Sequence, residues 1–113
     1  MSGNRAAVRE PKEHILKTWP YFFQATLAGR KLFEVRDSSE AIRDFQVGDT
    51  LRLVEWDEGA EEYTGRALEC RVAYTLHGGR FGLPPHLCVM SLTDIKESHV
   101  YLDNHPPADG ETP

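Results

Sequence analysis

Residues 27–37 read LAGRKLFEVRD, and two kinds of periodicity meet at the glycine of this stretch. Upstream, Trp19, Phe23 and Leu27 recur at i, i+4 and i+8, with Pro20 at a first-turn position, so the spacing predicts an amphipathic helix over residues 20–28. Gly29 closes it as the residue after the cap. Downstream, KLFEVRD is rich in aromatic and β-branched residues and predicts a strand. Its alternation puts Glu34 and Arg36 on one face and Phe33 and Val35 on the other. Lys31 formally shares the apolar face but lies beside the glycine turn, free to swing toward Glu34. The plainer account of this pattern is a surface strand carrying a Glu–Arg pair, worth about 1 kcal/mol or less. The functional account is a Lys, a carboxylate and a guanidinium converging at a barrel mouth, where they bind a nucleotide or place a proton.

Working outward, HILKTW (residues 14–19) is a short apolar strand that stops before Pro20. Residues 37–46 form a polar connection, and Val47-Gly48-Asp49 turns into a strand, TLRLVEW. DEGAEEYTG reads as a long hairpin loop with bends at Gly59 and Gly65. From Ala67 the alternation predicts a half-buried strand with Leu68, Cys70, Val72, Tyr74 and Leu76 on one face and Glu69, Arg71 and Thr75 on the other. HGGRFGLPP is a mobile loop, and LCVMSLTDI is the last strand. Five or six strands with one early helix, joined by short connections, predict a mainly β α+β fold. Its expected form is a small, partly closed antiparallel barrel.

The chain has 113 residues, enough for one core and too few for two. Residues 1–11 and 97–113 read as loose termini around one domain at 12–96. The net charge of −5 argues at first against a nucleic-acid binder. The charge is unevenly spread, however: residues 1–54 hold nine basic and seven acidic residues, and residues 55–113 hold four and eleven. The region of the candidate site is slightly basic. Cys70 and Cys88 form no CxxC pair and have no His at ligand spacing, so buried thiols are expected, with no metal and no cofactor. The absence of a long apolar run or signal-like start predicts a cytoplasmic protein.

The pattern G-x-K-x-x-E-x-R after a short helix, with a Val-Gly-Asp turn into a strand, resembles the signature of ASCH domains of the PUA-like superfamily. The chain is more closely similar to an uncharacterised bacterial and phage family within that group, through HILK, WPYF, GRKLFEVR, FQVGDTLRLVEWD, YTGRALECRV and LCVMSL over roughly residues 13–94. The resemblance implies an ASCH β-barrel with a cleft beside the Lys31–Arg36 strand and a role in binding RNA or a nucleotide. LAGRK also resembles the motif of small amidohydrolases of the superfamily that remove the acyl group of N4-acetylcytidine. Lys31 falls on their catalytic lysine. Glu34 replaces their threonine, and their later glutamate has no clear counterpart, Glu62 and Glu69 being candidates by proximity in sequence alone.

The expected ligand site comprises His14, Lys17, Trp19, Tyr21, Lys31, Glu34, Arg36 and Arg80. Glu34 accepts from a base, Lys31 and Arg36 meet phosphate or carbonyl oxygens, Trp19 or Tyr21 stacks, and Arg80 reaches in from its glycine-rich loop with His77 beside it. Each has a plainer reading: a structural histidine, a buried tryptophan, an exposed loop arginine. On a strand His14 and Lys17 point to opposite faces and form no dyad without a bend. Binding of RNA, a nucleotide or a modified nucleoside is the leading expectation. The alternatives are an amidohydrolase using Lys31 and Glu34, and a protein-interaction module built on the acidic run from Glu55 to Glu62, whose plainer reading is a solvated hairpin tip.

Overall fold

A computed structural model describes residues 9–38 and 44–98. Its elements are β1 (Glu13–Thr18), α1 (Pro20–Leu27), β2 (Phe33–Asp37), β3 (Thr50–Asp57), β4 (Glu62–His77) and β5 (Leu87–Glu97). The strands form one curled sheet, a half-barrel, in the order β1-β3-β4-β5-β2. The fold is β-rich with a single helix among the described residues, as the sequence pattern predicts. No helix among them is long and apolar enough to cross a membrane. The expected loose termini lie largely outside the described residues, as does part of the connection at 37–46.

One pairing corrects the antiparallel expectation: β1 and β3 run parallel, with Leu16 opposite Leu53 and Thr18 opposite Glu55. A parallel neighbour requires a crossover, and α1 with the chain through β2 supplies it. β2 crosses to the far edge and pairs with β5. Helix α1 starts at Pro20 and ends where Gly29 takes φ 81°. The amides of Arg30 and Lys31 both reach the Ala25 carbonyl, at 2.9 and 3.1 Å, which fixes Lys31 at the entry to β2. Phe23 of the predicted stripe is fully buried and Leu27 packs beside it, against a core that includes Leu16, Leu51, Leu53, Leu68 and Met90.

β4 departs from the sequence reading in two ways. It begins at Glu62, because Trp56 pairs with Tyr63 and the turn is confined to residues 58–61. It also carries a bulge between Val72 and Tyr74, where an extra residue reverses the parity of side chains. Tyr74 therefore leaves the inner face shared by Leu68, Cys70 and Val72 and is 68% exposed. The loop at 78–86 is braced by backbone hydrogen bonds, Gly78 N to Leu87 O at 2.7 Å and Gly79 N to Leu83 O at 2.9 Å among them.

Asp49, read from the sequence only as a turn residue, is a fully buried hub. Its Oδ1 accepts from Arg9 at 2.9 Å and from the Lys12 amide at 3.0 Å. Its Oδ2 accepts from Arg9 at 2.8 Å and the Gln46 amide at 3.0 Å, and contacts His14 Nε2 at 2.8 Å. Burial by itself pushes the Asp49 carboxyl up, but the bonds from Arg9, His14 and the two amides outweigh it and hold the group well below its ordinary 3.8. A depressed folded-state pKa gives stability that is fully present above the unfolded value and is lost as pH falls below it. Asp49→Ala is expected to cost about 2–4 kcal/mol at pH 7, since it orphans several buried donors. In urea unfolding the variant should also lose less stability than the native protein between pH 5 and pH 3.

Candidate ligand cleft between the edge strands

β2 is inverted relative to hydrophobic expectation. Glu34 and Arg36 point inward and are 3% and 2% exposed, whereas Phe33 and Val35 point outward at 48% and 44%. A slip of one residue would exchange the faces and bury the apolar pair. The observed register is held at both ends of the strand, by Leu92 N to Leu32 O at 3.0 Å and Ser38 N to His86 O at 2.8 Å. The surface ion pair of the plainer sequence reading is thus a buried one.

The charges form a chain. Lys31 Nζ lies 2.7 Å from Glu34 Oε2, and Arg36 Nε donates to Glu34 Oε1 at 2.9 Å. Arg36 Nη2 then donates to the Lys17 carbonyl of β1 at 2.8 Å, joining the two edges of the sheet. Lys31 also donates to the Phe33 carbonyl at 2.7 Å and lies 5.8 and 5.0 Å from the ring centres of Phe22 and Phe33. Around this cluster is an open cleft of about 310 Å³, lined by Thr18, Phe22, Lys31, Phe33, Glu34, Val35 and Arg36. Two other depressions, about 330 and 440 Å³, share Glu69 and Lys96 near the β4–β5 irregularity. The first includes Arg71 and Asp94, both more than half exposed and paired loosely at 3.7 Å, which is how a solvated surface looks.

Of the eight residues expected in the site, the structure brings Lys31, Glu34 and Arg36 together. Lys17 contributes its backbone carbonyl, while its ammonium lies 4.3 Å from the centre of the Trp56 ring on the outer face. His14 faces inward at the other end of β1, against Asp49 and the Phe45 ring. Trp19 precedes α1 and stacks on Phe22 at 6.1 Å, and Tyr21 is 80% exposed with its ring edge-on to Phe22. Phe22 is therefore the aromatic residue of this group that lines the cleft. Arg80 and His77 are exposed and line none of it. Glu62 and Glu69 do not line it either.

Sequence reasoning missed Thr18 and Phe22, which line the cleft, and the burial of Glu55 behind Thr18. Glu55 begins the acidic run in the sequence, yet it is 5% exposed on the inner face of β3, beside Thr18 in the parallel register. Its Oε1 accepts from the Thr64 hydroxyl at 2.6 Å. Alternation through Leu51, Leu53 and Glu55 carried the signal. Beneath the cluster, burial pushes the Cys70 thiol up to about 12, with the Glu34 charge adding and the Lys31 charge opposing. Burial likewise pushes Cys88 up to about 11. Burial thus disfavours the reactive thiolate form of both. Among the described residues, no group of three or more His, Cys, Asp or Glu side chains could hold a metal ion.

Removing one member of a buried ion pair strands the other. Glu34→Ala is expected to cost about 3–5 kcal/mol, and Lys31→Ala, which leaves the Glu34–Arg36 contact in place, about 1 kcal/mol. Urea unfolding of the two variants checks the order, and equal losses would contradict a buried charge chain.

The sequence matches, over residues 13–92, the model of a family described as Domain of unknown function (DUF3850). No curated protein matches the chain.

Proposed function

Because the chain belongs over residues 13–92 to this family, whose function is unknown, the activity has to be read from the cleft itself, and we propose that the cleft binds RNA or a modified nucleoside. We take the half-barrel as an ASCH domain of the PUA-like kind, in keeping with the G-x-K-x-x-E-x-R spacing. The observation that carries the reading is the inward-facing Lys31–Glu34–Arg36 chain in a cleft walled by Phe22 and Phe33. A strand that buries its charges and exposes its apolar residues gives up hydrophobic stabilisation, which makes sense when the buried charges serve a ligand.

The chemistry suits a base better than a strand of phosphates. Each Glu34 oxygen accepts from one cation and retains a lone pair for a base amino group. Lys31 is the least buried member of the chain, with a side chain 17% exposed, and meets a carbonyl oxygen at the mouth. Stacking on Phe22 or Phe33 contributes about 1–3 kcal/mol per base. A site with so few cations releases few counterions, so affinity should depend weakly on salt. Isothermal titration of nucleosides and short single-stranded RNAs tests the proposal. Lys31→Ala and Phe22→Ala are each expected to weaken binding about tenfold, with a shallow salt slope. Unchanged binding in both variants, or none across the panel, would refute it.

The 2.7 Å contact between Lys31 and Glu34 supports a second reading, hydrolysis of an acylated nucleoside. Glu34 would take a proton from the attacking water while Lys31 stabilises the oxyanion, and the acyl group would leave as a carboxylic acid with release of the base amine. Chromatography of N4-acetylcytidine incubated with native protein and Lys31→Ala decides it. Turnover lost in the variant supports hydrolysis, and no turnover in the native protein removes it.

A further inference from the structure

Thr18 ends β1 on the inner face, is 1% exposed and lines the cleft, yet its Oγ1 has no hydrogen-bond partner. A dry, unpaired hydroxyl opposes folding, and valine has the same shape without that penalty. Such an orphan calls for an explanation. The charged groups around it are engaged with one another: Lys31 with Glu34 and the Phe33 carbonyl, Arg36 with Glu34 and the Lys17 carbonyl, Glu55 with Thr64. Counting Glu55, which is Thr18's partner in the β1–β3 register, two cations face two carboxylates. The lining alone carries two cations and one carboxylate, and with Glu55 behind Thr18 the neighbourhood balances, so no cation is left uncommitted for a phosphate.

Besides the spare lone pairs of Glu34, what remains unspent is a neutral group that both donates and accepts. The cleft volume of about 310 Å³ lies at the lower end of small-molecule sites and suits one flat heterocycle with its sugar. We propose that the Thr18 hydroxyl reads the polar edge of a single uncharged nucleobase, so that the site takes a nucleoside and makes no use of its phosphate. The oxygen is closed to water in the free protein while Thr18 itself lines the cleft, so the proposal requires a rotation about χ1 to present the hydroxyl to the ligand. This inference rests on the reading of the cleft as a nucleoside or RNA site.

The test is calorimetry of native protein, Thr18→Val and Thr18→Ser with cytidine, N4-acetylcytidine, uridine, adenosine, guanosine, their 5′-monophosphates and short single-stranded RNA, with thermal melts recorded without ligand. At least one nucleoside should bind, and its monophosphate should bind within threefold of it. Thr18→Val should lose about tenfold or more in affinity while melting at or above the native temperature, and Thr18→Ser should recover most of the loss. A merely structural hydroxyl would not separate melting from affinity in this way. A monophosphate bound more than tenfold tighter, or native-like binding by Thr18→Val, overturns the inference. It leaves the cleft reading standing if Lys31→Ala still weakens binding. The nucleoside-to-monophosphate ratio decides the matter even if Thr18→Val does not fold. Binding of short RNA with no nucleoside bound also overturns the inference, and the absence of any binding removes the cleft reading with it.

Discussion

The guanidinium of Arg36 holds the two edges of the sheet together. β1 and β2 stand at opposite ends of the strand order, and Arg36 on β2 donates across the seam to the Lys17 carbonyl of β1. Desolvating an arginine this completely is costly unless a counter-charge is placed beside it, and Glu34, two residues back on the same face, supplies one. Glu34 in turn draws Lys31 inward from the end of α1, where the glycine turn has delivered it. The helix end, the seam and the charge chain are thus consequences of one another. The cleft lies where the half-barrel is closed by side chains.

This closure dictates an unusual outer surface. With Glu34 and Arg36 turned in, Phe33 and Val35 must turn out. The register aligns Phe33 with Ser91 and then Tyr74, and Val35 with Val89 and then Leu76. The β4 bulge places Tyr74 and Leu76 on that same outer side. Had β4 kept its parity, Tyr74 would have continued the inner row of Leu68, Cys70 and Val72. The bulge and the inverted strand thus both exchange an inner apolar residue for an outer one, leaving the inner end of the sheet to polar chemistry.

These are also the features that a sequence shows poorly. Helix α1, its glycine stop, the two faces of β2 and the approximate positions of all five strands follow from local periodicity, which one window of residues contains. Periodicity separates the faces of β2 but does not say which is inside. Pairing with Met90 and Cys88 decides that, more than fifty residues along the chain. The parallel β1–β3 contact, the extra residue of the β4 bulge and the burial of Glu55 depend likewise on partners distant in sequence. Asp49 looked like a turn because its neighbours Val47 and Gly48 make one, whereas its role as a hub is visible only once Arg9, Lys12 and His14 arrive from the N-terminal side.

β1 shows how these pieces bear on the cleft. As an edge strand it has a backbone ladder on one side, to β3. Its two ends are clamped by charge: Asp49 grips the Lys12 amide and His14 where the strand begins, and Arg36 grips the Lys17 carbonyl where it finishes. Thr18, one residue beyond that second clamp, is carried to the cleft by an element anchored at both ends by charged groups and in its middle by Leu16, fully buried in the core. The Asp49 clamp, at the far end of β1, holds the strand's start independently of the bonds at the cleft.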